Sequence, residues 1–516
     1  MRPISADPHK EFVQLRWREL AGARPDLLAV SEELQADSFG WLLDSATPAG
    51  RLGRYSFAGS DPYLVARVSG ERIELNCRRE VRAGFTPGLS ERSAGIFDWL
   101  QEALPSFAVD LDGLPFPFPF IGGAVGYWGY ELAEQVETLK LNAHDDLGLP
   151  DASVLFVDRL VALDHASGRA FALGLGFGRD KEEARRRAGA ALAEFSDRLA
   201  EGGCLTPSAR PETGPPIERA TVMAMGVPDE ATASFAAEGY RERVGWLKEE
   251  IASGNVYEAN LTRRMDLPFD GAPWPLYRAL RMASPAPFAS FLDLPEGAVL
   301  GSSPERFLRL SSSGQVESRP IKGTRPRGLA SEEDMSLAKE LATSEKDRAE
   351  NLMIVDLVRN DLGRVCKTGT ISVPELMQVE SYASVFQLVS TVVGQLREGS
   401  DRMDLFRAAF PPGSMTGAPK IAAMRLLNEI EPVRRGVYSG ALGYLDLRGG
   451  MDLAVVIRTI LICKDRAHFH VGGAVVADSD PQREYEESLD KAKGMLAALE
   501  AERQSRTVPR EPERAE

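Results

Sequence analysis

The chain has 516 residues, of which 43% are hydrophobic and 27% charged, and its formal net charge is -15 at pH 7. That balance excludes wholly disordered and collagen-like chains. It also argues against a general binder of nucleic acid or of anionic membranes, because both need basic surface. Cys77, Cys204, Cys366 and Cys463 are scattered and form no C-x-x-C pair, which excludes a disulfide scaffold and points away from a zinc ribbon or thioredoxin-like site.

The N-terminal stretch carries no apolar signal core, and no run approaches about 18 apolar residues. A cytoplasmic protein is expected. Strand-like runs appear at residues 66–77 (ARVSGERIELNC) and from Ser153 to Leu163. Gly174, Gly176 and Gly178 follow a strand and precede a helix, but the third glycine of G-x-G-x-x-G falls on Arg179, so a tight strand-to-helix turn is the better reading. A helix is predicted from Asp180 to Leu199. The Pro-, Gly- and Thr-rich break GGCLTPSARPETGPP reads as a linker or long loop over 201–235, dividing an N-terminal region (1–200) from a C-terminal one (236–500). Strands are predicted near Ala298 and Phe307, helices from Glu333 to Leu362, strands from Val437 to Val476, then a final helix. Residues 501–516 read as a disordered polar tail. Clustered strands favour an α+β fold with antiparallel sheets over a doubly wound one. His468 and His470 share one strand face, read as solvated for want of a third zinc ligand.

Two helices carry acidic pairs. Glu484 and Glu487 lie at i, i+3 with Lys491 on the same stripe, bordering the apolar stripe of Leu489, Ala492, Leu496 and Leu499. Asp347 and Glu350 repeat the spacing just before LMIVDLV, a stretch apolar nearly all round and so expected to be buried. Carboxylates leading into a buried helix need a cation or donor partner. Together the two pairs could hold one hard divalent ion, and Mg²⁺ suits oxygen ligands and water; ion pairs with Arg348 or Arg359 are the alternative. The loop SRPIKGTRPRG is stiff and holds one lysine, Lys322, which on such a loop near apolar walls can act as a nucleophile or simply be solvated. Upstream, GSSPERF places Glu305 at a turn, as a general acid or a solvated carboxylate.

These strings, with FPPGSMTGAPK, GALGYLDLRGGMDLAVVIRT and GGAVVADSDPQREYEESLDK, resemble the chorismate-utilising enzymes: component I of anthranilate synthase and of aminodeoxychorismate synthase, and isochorismate and salicylate synthases. The likeness is dense over 236–500 and looser through WLLDS, GRYSFAG and PFIGGAVGYWGYE. It implies an anthranilate synthase component I-like sandwich of two antiparallel β-sheets with flanking helices. It further implies Glu350 and Glu487 as direct Mg²⁺ carboxylates, with Asp347 and Glu484 supporting them, and Glu305 as the acid that protonates the departing ring hydroxyl. Thr324, Tyr444, Arg458, Gly472, Gly473 and Lys491 would receive chorismate. Ser45, Arg54, Tyr55, Ser56, Pro285 and Phe288 resemble a tryptophan pocket.

P-I-K-G-T resembles the aminodeoxychorismate branch, in which the lysine is thought to add at ring carbon 2 so that ammonia enters at carbon 4. The anthranilate branch has alanine there. The implied activity is formation of 4-amino-4-deoxychorismate, on the way to p-aminobenzoate and folate, with ammonia from a separate glutamine amidotransferase. Anthranilate synthase component I, or a catalytically silent regulatory homologue, are the alternatives. Three positions depart from the pattern. Glu258 replaces glutamine, or the lysine base of the isochorismate and salicylate enzymes, and needs a partner such as Arg263 or Arg264. Gln387 replaces a histidine. Ala474 replaces a glycine and is tolerable at negative φ.

Overall fold

The computed structural model describes residues 11–20, 26–47, 52–115, 117–201, 217–328, 330–382 and 385–507. Among them, two large sheets form the frame. The first, of 13 strands, runs from Phe12–Glu19, Arg169–Gly178, Arg159–Asp164, Tyr55–Gly59 and Trp41–Asp44 into Phe288–Leu294, Gly297–Ser303, Thr459–Cys463, Arg466–Val475 and Glu258–Pro268. The second, of 12 strands, runs from Arg72–Cys77, Leu64–Ser69, Ala152–Val157 and Gly123–Trp128 into Ala441–Asp446, Met451–Val455, Arg306–Leu310, Gln315–Arg319, Val385–Gln395 and Ile321–Pro326. Pairing is antiparallel apart from Val13–Gln14 against Val109–Asp110. This is the mixed α+β sandwich that the sequence implied.

Both sheets contain strands from before and after the Pro-rich break. Leu292 pairs with Trp41 in the first, and Tyr444 with Val125 in the second. The run from Ser153 to Leu163 is two strands, Ala152–Val157 and Arg159–Asp164, which belong to different sheets. The chain crosses between layers at Asp158, so every residue of both strands is buried. Between the layers lies an aromatic core. Phe57 meets Phe120 edge-on at 5.5 Å, Phe120 stacks on Tyr444 at 4.6 Å, and Trp41 and Trp128 are wholly buried. At roughly 25 cal/mol per Å² of apolar surface, such rings dominate the stabilisation.

Helices flank the sheets. Gly176 lets helix Lys181–Glu201 lie directly on its strand, since a Cβ there would come within 2.2 Å of Ala184 O and Ala188 N; the glycine run serves packing. Helix Glu345–Gly363 starts at Ser344, whose hydroxyl accepts from the Asp347 amide at 3.3 Å, a helix N-cap. It is less buried than its apolar run suggested: Ile354 and Val355 are buried, but Leu352 is 47% exposed. The helix covers the outside of the second sheet and so buries only one face. His468 and His470 are also corrected, because their strand is paired on both sides and both side chains are buried. The final helix runs Pro481–Thr507, past Glu500 where a tail was expected; Arg506 pairs with Glu502 at 3.1 Å and lies over the Phe269 ring. Residues 202–216 of the expected linker and 508–516 of the expected tail lie outside the described residues; 217–235 contain the short helix Arg219–Met223. Among the described residues no helix is long and apolar enough to cross a membrane.

Candidate active site

The strand Ile321–Pro326 carries Lys322 inward, where its Nζ donates to the Glu258 carboxylate at the start of strand Glu258–Pro268. Glu258 is fully buried and Lys322 is 8% exposed. The partner expected for Glu258 is thus corrected. Arg264 binds Asp146 at 2.8 Å and Asp266 at 2.8 Å, and Arg263 lies over the Tyr485 ring at 4.7 Å. Among the described residues, Lys322 is the ion-pair partner that Glu258 has. Gly323, at φ 90, makes the close turn possible: a Cβ there would lie 2.9 Å from the Asp347 Cβ.

Lys322 sits in a field of carboxylates. Burial works against its charge, but Glu258, Glu350 and Glu305 outweigh burial and hold the ammonium above the ordinary lysine range. The carboxylates respond. Burial pushes Glu305 up to about 7, against Ser414 and Lys322. Burial also pushes Glu350 up to about 7, against Lys322 and Lys346. Glu305 therefore keeps its proton towards neutral pH, the state a general acid requires.

The two acidic pairs converge. Lys346 stands between them, 2.9 Å from Glu484 and 3.8 Å from Glu350. Among the described residues, Glu350 Oε1 and Glu484 Oε2 are buried without a hydrogen-bond partner. Glu487 pairs with Lys491 at 2.8 Å, and that lysine holds its carboxyl far below the usual range. Glu484, Glu487 and Lys491 crowd the backbone of Gly473, confirming that they share one helix stripe. Asp347 turns instead to Arg325 at 2.9 Å. Among the described residues no three His, Cys, Asp or Glu side chains are gathered closely enough to grip a metal together. The orphaned buried oxygens of Glu350 and Glu484, with a lysine ammonium between them, nevertheless fit a hard cation.

Anion-binding groups border this cluster. Arg458 has left-handed backbone, φ 49, and its carbonyl accepts from Ser302 N at 3.1 Å, beside the segment carrying Glu305. Its guanidinium has no ion-pair partner among the described residues, and burial pushes its pKa down. A strained, uncompensated cation beside a cleft is what an anionic ligand would neutralise. Lys491 donates to Gly472 O at 2.8 Å, and only glycine fits at 472, since a Cβ would lie 2.0 Å from Leu261 O. Thr324 is half-buried opposite Gln387, whose Oε1 is buried with no hydrogen-bond partner among the described residues. Ala474 keeps negative φ.

Tyr444 is elsewhere, which corrects its expected role. It lines a second cavity of about 380 Å³ with Ser45, Arg54, Tyr55 and Phe288. Its strand faces the aromatic core, not the Lys322 cleft. Ser56 lies beneath this cavity, where its Oγ accepts from Ser45 N at 2.9 Å; Pro287, rather than Pro285, reaches the wall. Tyr438, six residues earlier, is stacked on His470 at 4.8 Å. It precedes its strand by only three residues, and periodicity offered no signal for it.

The family model for chorismate binding enzymes matches residues 70–497. The chain belongs to the chorismate binding enzyme family. It is 43% identical over 458 residues to the aminodeoxychorismate synthase of Streptomyces griseus, covering 89% of this chain but 60% of that protein. It thus spans about three fifths of that relative's length. It is 38% identical to anthranilate synthase component 1 of Streptomyces coelicolor, covering 95% of this chain and 89% of that one. Among solved structures, anthranilate synthase component I from Streptococcus pneumoniae superposes with a TM-score of 0.70 at 29% identity, covering 86% of this chain and 92% of that one.

Proposed function

We propose that this chain is the chorismate-aminating component of an aminodeoxychorismate synthase, acting in folate synthesis. The observation that carries this reading is Lys322, buried at the centre of Glu258, Glu305 and Glu350. In this reading chorismate's carboxylates meet Arg458, Lys491, Thr324 and the Gly472–Gly473 backbone. The Lys322 amine bonds ring carbon 2 while the bond from carbon 4 to its hydroxyl breaks, and Glu305 supplies the proton on which water leaves. Ammonia then bonds carbon 4, the carbon 2–lysine bond breaks, and the ammonia nitrogen returns a proton to Glu305. Lys322 thereby occupies the carbon that ammonia would otherwise attack.

Glu350 and Glu487, supported by Glu484 and Asp347, are the residues that would hold Mg²⁺. The ion would supply charge neutralisation for the substrate's ring carboxylate. A glutamine amidotransferase is the proposed source of ammonia. The cavity at Ser45, Arg54, Tyr55 and Phe288 is the proposed seat of tryptophan.

The test is product analysis by mass spectrometry after incubation with chorismate, Mg²⁺ and ammonium. Aminodeoxychorismate, converted to p-aminobenzoate only when a lyase is added, supports the reading. Anthranilate formed without lyase overturns it.

A further inference from the structure

We infer that Glu258 is the proton acceptor for Lys322, storing the lysine's proton for as long as that nitrogen is bonded to substrate. The inference deepens the proposed function and rests on it. An ammonium has no lone pair, so Lys322 must lose a proton before its nitrogen can bond carbon. The Glu258 carboxylate is the group that its Nζ already contacts. Glu258 Oε2 is buried with no hydrogen-bond partner among the described residues, so the carboxyl has a free position on which to hold a proton out of water.

The other charged groups around Lys322 are less suited. Glu305 carries its own proton and has its own use for it. Glu350 lies on the flanking helix beside Lys346. Glu487, on the final helix, is committed to Lys491. Glu258 also needs Lys322, since a fully buried carboxylate without a counter-charge would be strongly destabilising. The two residues thus form a closed pair within which a proton can move without solvent.

The balance closes over a turnover. The ion pair Lys322–NH₃⁺ and Glu258–COO⁻ becomes an amine and a carboxylic acid. The amine bonds carbon 2 as water leaves with the Glu305 proton. When ammonia takes carbon 4, the lysine departs with its electron pair as an amine, and Glu258 gives back the stored proton. Glu258 therefore acts as base when the carbon–nitrogen bond forms and restores the ammonium after it breaks. This accounts for a carboxylate at a position where a dianionic substrate would otherwise disfavour one.

The experiment compares the unaltered protein with Glu258→Gln and Glu258→Asp, each also in a Lys322→Ala background, over pH 6 to 10. Glu258→Gln should lower kcat at neutral pH by about 10²-fold with KM for chorismate unchanged, and the rate should recover as bulk base removes the lysine proton at higher pH. Glu258→Asp keeps the carboxyl, preserves the buried pair and should retain more activity. In the Lys322→Ala background the Glu258 substitutions should have no further effect on kcat. An unshifted pH profile in Glu258→Gln, a loss equal at every pH, or an equal loss without Lys322 overturns the proposal. Anthranilate from the unaltered protein would overturn the product reading and this proposal together. Aminodeoxychorismate from the unaltered protein with an unshifted Glu258→Gln profile overturns this proposal alone.

Discussion

The Lys322 cleft and the Tyr444 cavity occupy the same sandwich but treat polar groups in opposite ways. In the cleft, Glu258, Glu350 and Glu484 each keep a buried oxygen without a hydrogen-bond partner among the described residues, and Arg458 has no ion-pair partner among them. Around the cavity several polar groups are satisfied. Arg54 binds Asp164 at 3.0 Å, Ser45 Oγ donates to Tyr55 O at 2.8 Å, and Asp44 accepts from Arg281 at 2.6 Å. Buried polar atoms left without a hydrogen bond cost stability and persist where a ligand or a reaction completes them. Satisfied groups around an aromatic wall build a rigid receptor instead. The contrast supports the proposal that chemistry belongs to the first region and binding to the second.

Substitutions that act in one region only will break or sharpen that contrast. The largest effect is expected at Glu350. Glu350→Gln should cut Mg²⁺-dependent turnover by about 10³-fold, equivalent to several kcal/mol of lost charge stabilisation. Full turnover in this variant would end the metal assignment. Tyr444→Ala should cost about 3–5 kcal/mol of stability, as large aromatic truncations do. It should also weaken tryptophan binding, measured by calorimetry, while KM for chorismate stays where it was. A raised KM would return Tyr444 to the chorismate site.

A smaller effect concerns pH. Burial raises Glu305 and Glu131 from 4.5 to about 7 in the fold. A raised carboxyl pKa means that the folded state binds the proton more tightly than the unfolded chain does. The contribution is complete below pH 4.5 and is lost as pH rises through 7. Thermal melts of metal-free protein should therefore show stability falling across that window, and Glu305→Gln should flatten part of the fall. An unchanged slope in that variant would show that Glu305 does not carry the shift.

The acidic pairs were legible in the sequence because i, i+3 spacing fixes a helix face without knowledge of the fold. Lys322 and Glu305 stood out as the one lysine of a Pro- and Gly-rich run and a carboxylate at a turn, although the run expected to be a stiff loop is the strand Ile321–Pro326. The Lys322–Glu258 pair was not, since 64 residues separate the partners and only the meeting of two sheets joins them. Tyr444 and Tyr438 lie six residues apart in one motif, and which of them lines the second cavity depends on the face their segment turns to each layer. His468 and His470 obeyed strand period, but period does not tell a solvated face from one buried inside a sandwich. The left-handed backbone of Arg458 left no trace in residue type, because arginine rarely adopts it.

The most direct test of the central claim is the product of Lys322→Ala, measured by mass spectrometry against the unaltered protein with chorismate, Mg²⁺ and ammonium. If Lys322 occupies carbon 2, the variant should lose most aminodeoxychorismate, by about 10²-fold as a removed nucleophile would predict, and release some anthranilate as ammonia reaches the exposed carbon. The same product at the same rate would contradict the account and remove Lys322 from the chemistry.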